Sequence, residues 1–236
     1  MINRRATCCL TASGIIGVVN SQELPPGEKW RQYELRALGL RDFARARADA
    51  PLNPFALARF ANLLVVDFKQ IEGLSPHARD HLLGAASEEW SGGACSRALP
   101  DGRKIIILNP NHSRQRKHAT LMEEICHVFL GHTPNRLAIV TASRDGRAAA
   151  RDYQRADEEA AYATGAAALV PFGSLRRFLL QAKSSSEIAR HFRVSGELVR
   201  YRLKVTRLWS LYKSTHPDES APKLRRHRAS GTVPKE

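Results

Sequence analysis

The run Thr120-Leu-Met-Glu-Glu-Ile-Cys-His-Val-Phe-Leu-Gly-His132 constrains the fold more than any other part of the chain. It reads as one amphipathic helix. It carries the H-E-x-x-H pattern with the first histidine replaced by glutamate. The intact pattern works because residues at i and i+4 share a helix face and can grip one metal ion. Here the i,i+4 pair is Glu123 and His127, and Glu124 follows the first ligand position, where a general base for an attacking water would sit. Two readings follow. Either the chain holds a metal through unusual ligands, or it keeps a hydrolase shape without the metal.

A second segment sharpens the first reading. Asp157-Glu158-Glu159 opens a helix that runs to Leu169 and is stopped by Pro171. Positions 158, 161, 162, 165, 168 and 169 fall on one face, with a carboxylate at its start and mostly small residues beyond. A glycine inside a helix costs about 1 kcal/mol relative to alanine, so Gly165 points to close helix–helix packing. A helix lying that close would let Glu158 reach a metal held by the first helix, which is the third-ligand arrangement of single-zinc peptidases. Tyr162 shares the face and reads as a packing residue. His132 lies about 140° round an extended helix from His127 and reads as a helix-end residue, while His112 and His118 read as surface residues of a basic segment.

Together these segments resemble the ImmA/IrrE family of metallopeptidase-like regulators. The resemblance is carried by the apolar strand before Asn109-Pro110, by Arg116, and by Thr120 to His127 with Leu130-Gly131-His132. It continues through Glu158-x-x-Ala161-x-x-x-Gly165-x-x-Ala168-Leu169-x-Pro171, and through the closing segments Ile188 to Ser195 and Val199 to Leu203. It implies Glu123, His127 and Glu158 as ligands of one divalent metal, with Glu124 as the base. The activity it implies is hydrolysis of a peptide bond in a regulatory protein such as a transcriptional repressor. The chain departs from the family at Glu123, where a histidine is usual, and at Thr164-Gly165, where phenylalanine-alanine is usual. Two carboxylates and one imidazole suit manganese or iron(II) as well as zinc. Weaker zinc selectivity and slower hydrolysis are the expected consequences, because the ligand set cancels more of the metal's charge. The alternative is a non-catalytic transcription or stress-response regulator that keeps the scaffold and acts through a basic C-terminal segment.

Charge supports a contact of that kind. Of the formal +14, a net +10 lies between Leu175 and Glu236, which hold fifteen basic and five acidic residues. Ser184 to Leu203 has helix-turn-helix spacing, and a second helix bearing Arg200, Tyr201 and Lys204 would supply candidate DNA contacts.

The expected fold is α+β: a mainly helical, zincin-like peptidase domain with a small sheet, followed by the helix-turn-helix-like segment. Helices are expected over 30–47, 55–64, 75–89, 156–169 and 175–182, with two short ones between 184 and 212. Strands are expected at 64–68, 94–99, 104–108 and 137–141, and Pro100-Asp101-Gly102 makes a hairpin turn. The domain reading is a disordered extension over 1–28, a peptidase-like domain over 29–174, a helical segment over 175–212 and a disordered basic tail over 213–236. Arg4-Arg5 before a mildly apolar run looks faintly like a secretory signal, but Thr11, Ser13, Gly14 and Gly17 interrupt it. No apolar stretch reaches the roughly 20 residues of a membrane span. Four cysteines, Cys8, Cys9, Cys95 and Cys126, form neither a C-x-x-C pair nor a disulfide framework, so a reducing, cytoplasmic setting is expected and Cys126 reads as a buried thiol.

Overall fold

A computed structural model describes residues 24–94, 98–132 and 155–216. It shows a mainly helical α+β fold with one small sheet. Helices α1 (Glu28–Phe43) and α2 (Pro54–Phe60) lead into strand β1 (Leu63–Val66). Helix α3 (Pro76–Leu83) then precedes β2 (Gly92–Ala94) and β3 (Lys104–Leu108). The chain continues through α4 (Arg114–Phe129), α5 (Arg155–Leu169), α6 (Phe172–Leu180), α7 (Ser185–Phe192), α8 (Gly196–Val205) and α9 (Trp209–Thr215).

The sheet order is β1-β3-β2, with β1 parallel and β2 antiparallel to β3. The β2–β3 hairpin turns at Pro100-Asp101-Gly102 as its residue types require. Gly102 sits at φ 81°, the Gly102 N–H donates to the Leu99 carbonyl at 2.8 Å, and Asp101 Oδ1 accepts from the Arg103 N–H. Strand β2 takes in Gly92 and Gly93, ahead of the strand expected from residue 94. A β-carbon on Gly92 would lie 2.7 Å from Thr120 Cγ2, so only glycine lets this strand pack onto α4. The strand expected at 137–141 falls outside the described residues, as do residues 1–23 and 217–236 of the two extensions, while 213–215, expected in the disordered tail, form the end of α9.

Helix α5 is held along its length and at its end. A β-carbon on Gly165 would meet Met122 Cγ at 3.3 Å and the Met122 backbone at 3.4 Å, so glycine sets the distance between α5 and α4. At the far end Pro171 stops the helix, and buried cations take up the exposed carbonyls. Arg41 Nη1 donates to the Ala168 carbonyl at 2.7 Å, and Arg202 Nε donates to the Val170 carbonyl at 3.0 Å. Arg202 also pairs with Glu34, both side chains being 1% exposed, and Glu34 accepts from the Phe172 N–H at 2.6 Å. These bonds tie α1 and α8 to the α5–α6 corner. One apolar cluster runs from Ala37 to Tyr212, and α6 crosses the 174/175 position at which the sequence divides the chain.

Past α6, the two short helices expected between 184 and 212 are three: α7, α8 and α9. Helix α7 begins in a full capping box, Ser184 with Glu187, and ends at Arg193 in the left-handed region. Ser195 caps α8 by accepting from the Leu198 N–H.

Two stability outcomes follow. Gly165→Val should cost about 1–3 kcal/mol in urea unfolding, because the β-branched side chain has no room against Met122. Arg202→Met should cost about 3–5 kcal/mol, because it leaves the buried Glu34 carboxylate without its cation, and Glu34→Gln in the same chain should recover part of that loss.

Candidate metal centre

The α4 side of the site is built by a helix whose start and stop are both fixed. Ser113 caps it by accepting from the Arg116 N–H at 3.2 Å. Leu121, Met122, Ile125 and Cys126 face the core, which leaves Glu123 and His127, one turn apart, beside α5. His127 and Glu124 are buried, at 4% and 5% exposure, and Glu123 is half-buried. From α5, Glu158 comes in from the first turn, where the helix N-terminus favours negative charge.

One ligand atom from each of Glu123, His127 and Glu158 lies within 4.8 Å of the others. His127 Nε2 is 3.7 Å from Glu158 Oε2. Two donors bound to one ion at about 2.1 Å each are at most about 4.2 Å apart, so a small carboxylate rotation brings all three into range. The donor set is two hard oxygens and one imidazole nitrogen, which fits a divalent cation of the manganese, iron(II) or zinc kind. The described helices thus bring the three sequence-inferred ligands together, with Glu124 next to them in the chain.

His132 departs from the sequence expectation, and the backbone explains why. Helix α4 ends at Phe129, and Gly131 takes φ 70°. The Gly131 N–H then donates to the Val128 carbonyl at 3.1 Å, and the His132 N–H donates to the His127 carbonyl at 2.9 Å. This is a Schellman closure. It folds residue 132 back over His127 instead of letting it continue round the helix. The two Nδ1 atoms stand 3.1 Å apart, and His132 Nε2 is 3.6 Å from Asp157 Oδ1. The Leu130-Gly131-His132 sequence held the signal, since glycine just past a helix end favours this reversal.

His112 and His118 are also corrected. Both are buried, at 6% and 4% exposure, and the His118 ring packs edge-on against Phe55 at 5.7 Å. Burial lowers the pKa of each, and for His118 the guanidinium groups of Arg114 and Arg193 push the same way.

Tyr162 is half-buried one turn beyond Glu158. Its pKa is raised by burial first and then by the charges of Glu123 and Glu197, which puts its hydroxyl within electrostatic reach of the cluster. Its ring meets Tyr201 of α8 edge-on at 4.9 Å. Burial is also the main cause that pushes the Tyr201 hydroxyl up to about 12. Of the three candidate DNA contacts, Arg200 and Lys204 are therefore exposed, while Tyr201 packs against α5. Cys126 is fully buried, as expected for a packing thiol, and burial raises its pKa.

Two helices that present a carboxylate–imidazole–carboxylate cluster beside a small mixed sheet define an α+β protein of the metallopeptidase-like class. Residues 81–204 match the family model described as Peptidase_M78, IrrE N-terminal-like domain, and the chain belongs to that family. No curated protein matches it. Among solved structures it is similar to a Mycobacterium tuberculosis transcriptional regulator, at 14% identity and a TM-score of 0.44. That similarity covers 73% of this chain and 47% of the regulator, so the chain spans about half the length of that protein. Among the described residues no helix is long and apolar enough to cross a membrane.

Buried His112 and His118 give a pH dependence. A folded-state pKa below the unfolded value means that the unfolded chain binds the proton more readily. The stabilising contribution of neutral His118 is complete above the unfolded value, about 6.5, and is lost as pH falls through the folded value. His118→Gln should therefore flatten the fall in urea stability on the acid side of neutrality, and an unchanged slope would contradict this assignment.

Proposed function

We propose that the chain is a metal-dependent endopeptidase that cuts a regulatory protein such as a transcriptional repressor, with Glu123, His127 and Glu158 holding one divalent ion. The single observation that carries this reading is the convergence of those three donors from two helices, with buried Glu124 next to Glu123 in the chain. The ion would be zinc, or manganese or iron(II) given the second carboxylate. When bound, it supplies a Lewis acid that polarises the scissile carbonyl and makes water more acidic.

The protein's own groups do the rest. Glu124 takes a proton from the attacking water and returns it to the leaving amine, and its burial strengthens each charge interaction it makes there. With Glu123 in place of an imidazole, the residues that would hold the ion carry one more negative charge, so an ion held there would acidify water less and turnover would be slower. Exposed Arg200 and Lys204 would add contact with DNA or a DNA-bound partner, with Tyr201 holding α8 against α5.

The test uses purified full-length chain loaded in turn with manganese, iron(II) or zinc. Elemental analysis should find about one divalent ion per chain, and Glu158→Ala should lose it. Glu124→Gln should keep the ion. Digestion of a proteome-derived peptide library should produce new N-termini with the wild type and none with Glu124→Gln, a loss of about 100-fold or more. A chain that takes up none of the three ions, or a Glu124→Gln variant that cuts as the wild type does, would overturn the proposal.

A further inference from the structure

We infer that the open cleft between the start of α4 and the α7–α8 turn binds the phosphodiester backbone of duplex DNA, with Arg114, Arg190 and Arg193 as its anchors. The inference rests on the proposed DNA contact, to which it gives a site, and is independent of the metal.

The cleft has a volume of about 360 Å³ and is lined by Arg114 and Gln115 of α4, Ala189 and Arg190 of α7, and Arg193 and Val194 of the turn. Ala189 and Val194 are buried, and the three arginines are exposed. No carboxylate lines the cleft. Among the described residues none of the three guanidinium groups has an ion-pair partner. Glu187, one turn before Arg190 on α7, is held by Ser184 and by Lys183, the latter at 3.5 Å. The fold gathers this charge from segments far apart in the chain. His118, buried one turn into α4, registers it, since the guanidinium groups of Arg114 and Arg193 both help to lower its pKa.

Backbone geometry fixes where Arg193 stands. Helix α7 ends with Arg193 at φ 58°, and the Val194 N–H donates to the Ala189 carbonyl at 3.0 Å. Glycine is the usual residue at such a helix end, because a β-carbon is strained there. The chain thus carries a guanidinium where glycine would fold more easily. The basic track continues past the turn. A β-carbon on Gly196 would lie 3.6 Å from Arg200 Nη1, so the Arg200 side chain lies back over the first turn of α8. Glu197, in that same turn, acts on Tyr162 of α5, on the metal-site side of α8.

These features select the ligand. The planar fork of a guanidinium matches the oxygens of a phosphate. Several forks spread round an open cleft fit the successive charges of a polyanion better than one small anion. No aromatic side chain lines the cleft, so it offers no platform for the unstacked bases by which single strands are held. A duplex keeps its bases stacked and presents its phosphates. The formal charge of the whole chain, +14, favours the same partner. Arg114 lies about 20 Å along α4 from His127, so changes in the cleft leave the metal site untouched.

The experiment follows the fluorescence anisotropy of a labelled mixed-sequence DNA duplex with the full-length chain over a range of salt. The wild type should bind with an affinity that falls steeply as salt rises. Arg114→Gln and Arg190→Gln should each weaken binding by about 10-fold and lower the salt slope by about 1, whatever the sequence of the duplex. Arg193→Gly should do the same while keeping or raising the urea midpoint, because glycine suits φ 58° better than arginine does. That pairing separates a lost contact from a lost fold. Arg31→Gln on α1 removes one charge outside the cleft and should change the affinity by less than about 2-fold. Cleft variants that bind the duplex as tightly as the wild type overturn the inference. If Arg200→Gln with Lys204→Gln abolishes binding in that case, the proposed DNA contact stands and lies on α8 alone. A wild type that binds no duplex at low ionic strength overturns both and leaves the metal reading as it was. Tighter binding of labelled polyglutamate, or of a single-stranded oligonucleotide, than of the duplex also overturns the inference, in favour of an acidic protein segment or an unpaired strand.

Discussion

The close contact between α4 and α5 is the constraint on which the rest depends. Glu123 and His127 stand one turn apart on α4 by helix geometry alone, but nothing local brings a third group to them. That group arrives because Gly165 lets α5 approach until the Met122 backbone is its neighbour, and because the far end of α5 is held at Pro171 by Arg41, Arg202 and Glu34. Fixing the C-terminal end of a rigid helix fixes its N-terminal end too. The buried Glu34–Arg202 pair is therefore a remote support for Glu158, acting through about 20 Å of helix at 1.5 Å per residue.

The same contact explains why the change at Glu123 leaves the scaffold intact. Glu123 is half-buried at the edge of the α4–α5 seam and is not part of its core. Within the seam Gly165 meets Met122, and both are buried. A carboxylate in place of an imidazole alters the charge and hardness of the donor set without altering the packing that assembles it. The packing can then be kept through small residues on α5 while the donor set varies through one residue on α4.

Most of the fold was legible in the sequence, for physical reasons. Helices α4 and α5 carry strong periodic patterns with clear stops, and β3 is a run of β-branched residues after a turn with suitable chemistry. The ligand candidates followed from spacing on α4 and from the small-residue face of α5. What was missed depends on contacts between distant residues or on a reversal of the backbone. Gly92-Gly93 has weak strand propensity, yet both residues pair with β3, and Gly92 has no room for a β-carbon beside Thr120. His112 and His118 sit in a basic, polar stretch, and their burial comes from neighbours far along the chain such as Phe55. His132 was placed by extending a helix that stops at Phe129, although Gly131 already marked the stop. The Glu34–Arg202 pair spans 168 positions and has no local signature.

The metal environment itself is the most direct measure of the central claim. Absorption-edge fine structure on the zinc-loaded full-length protein should show a shell of oxygen donors with the scattering of a single imidazole, as Glu123, His127 and Glu158 require. A shell containing sulfur, or scattering from two or more imidazoles, would contradict it, as would a protein that takes up no metal to measure.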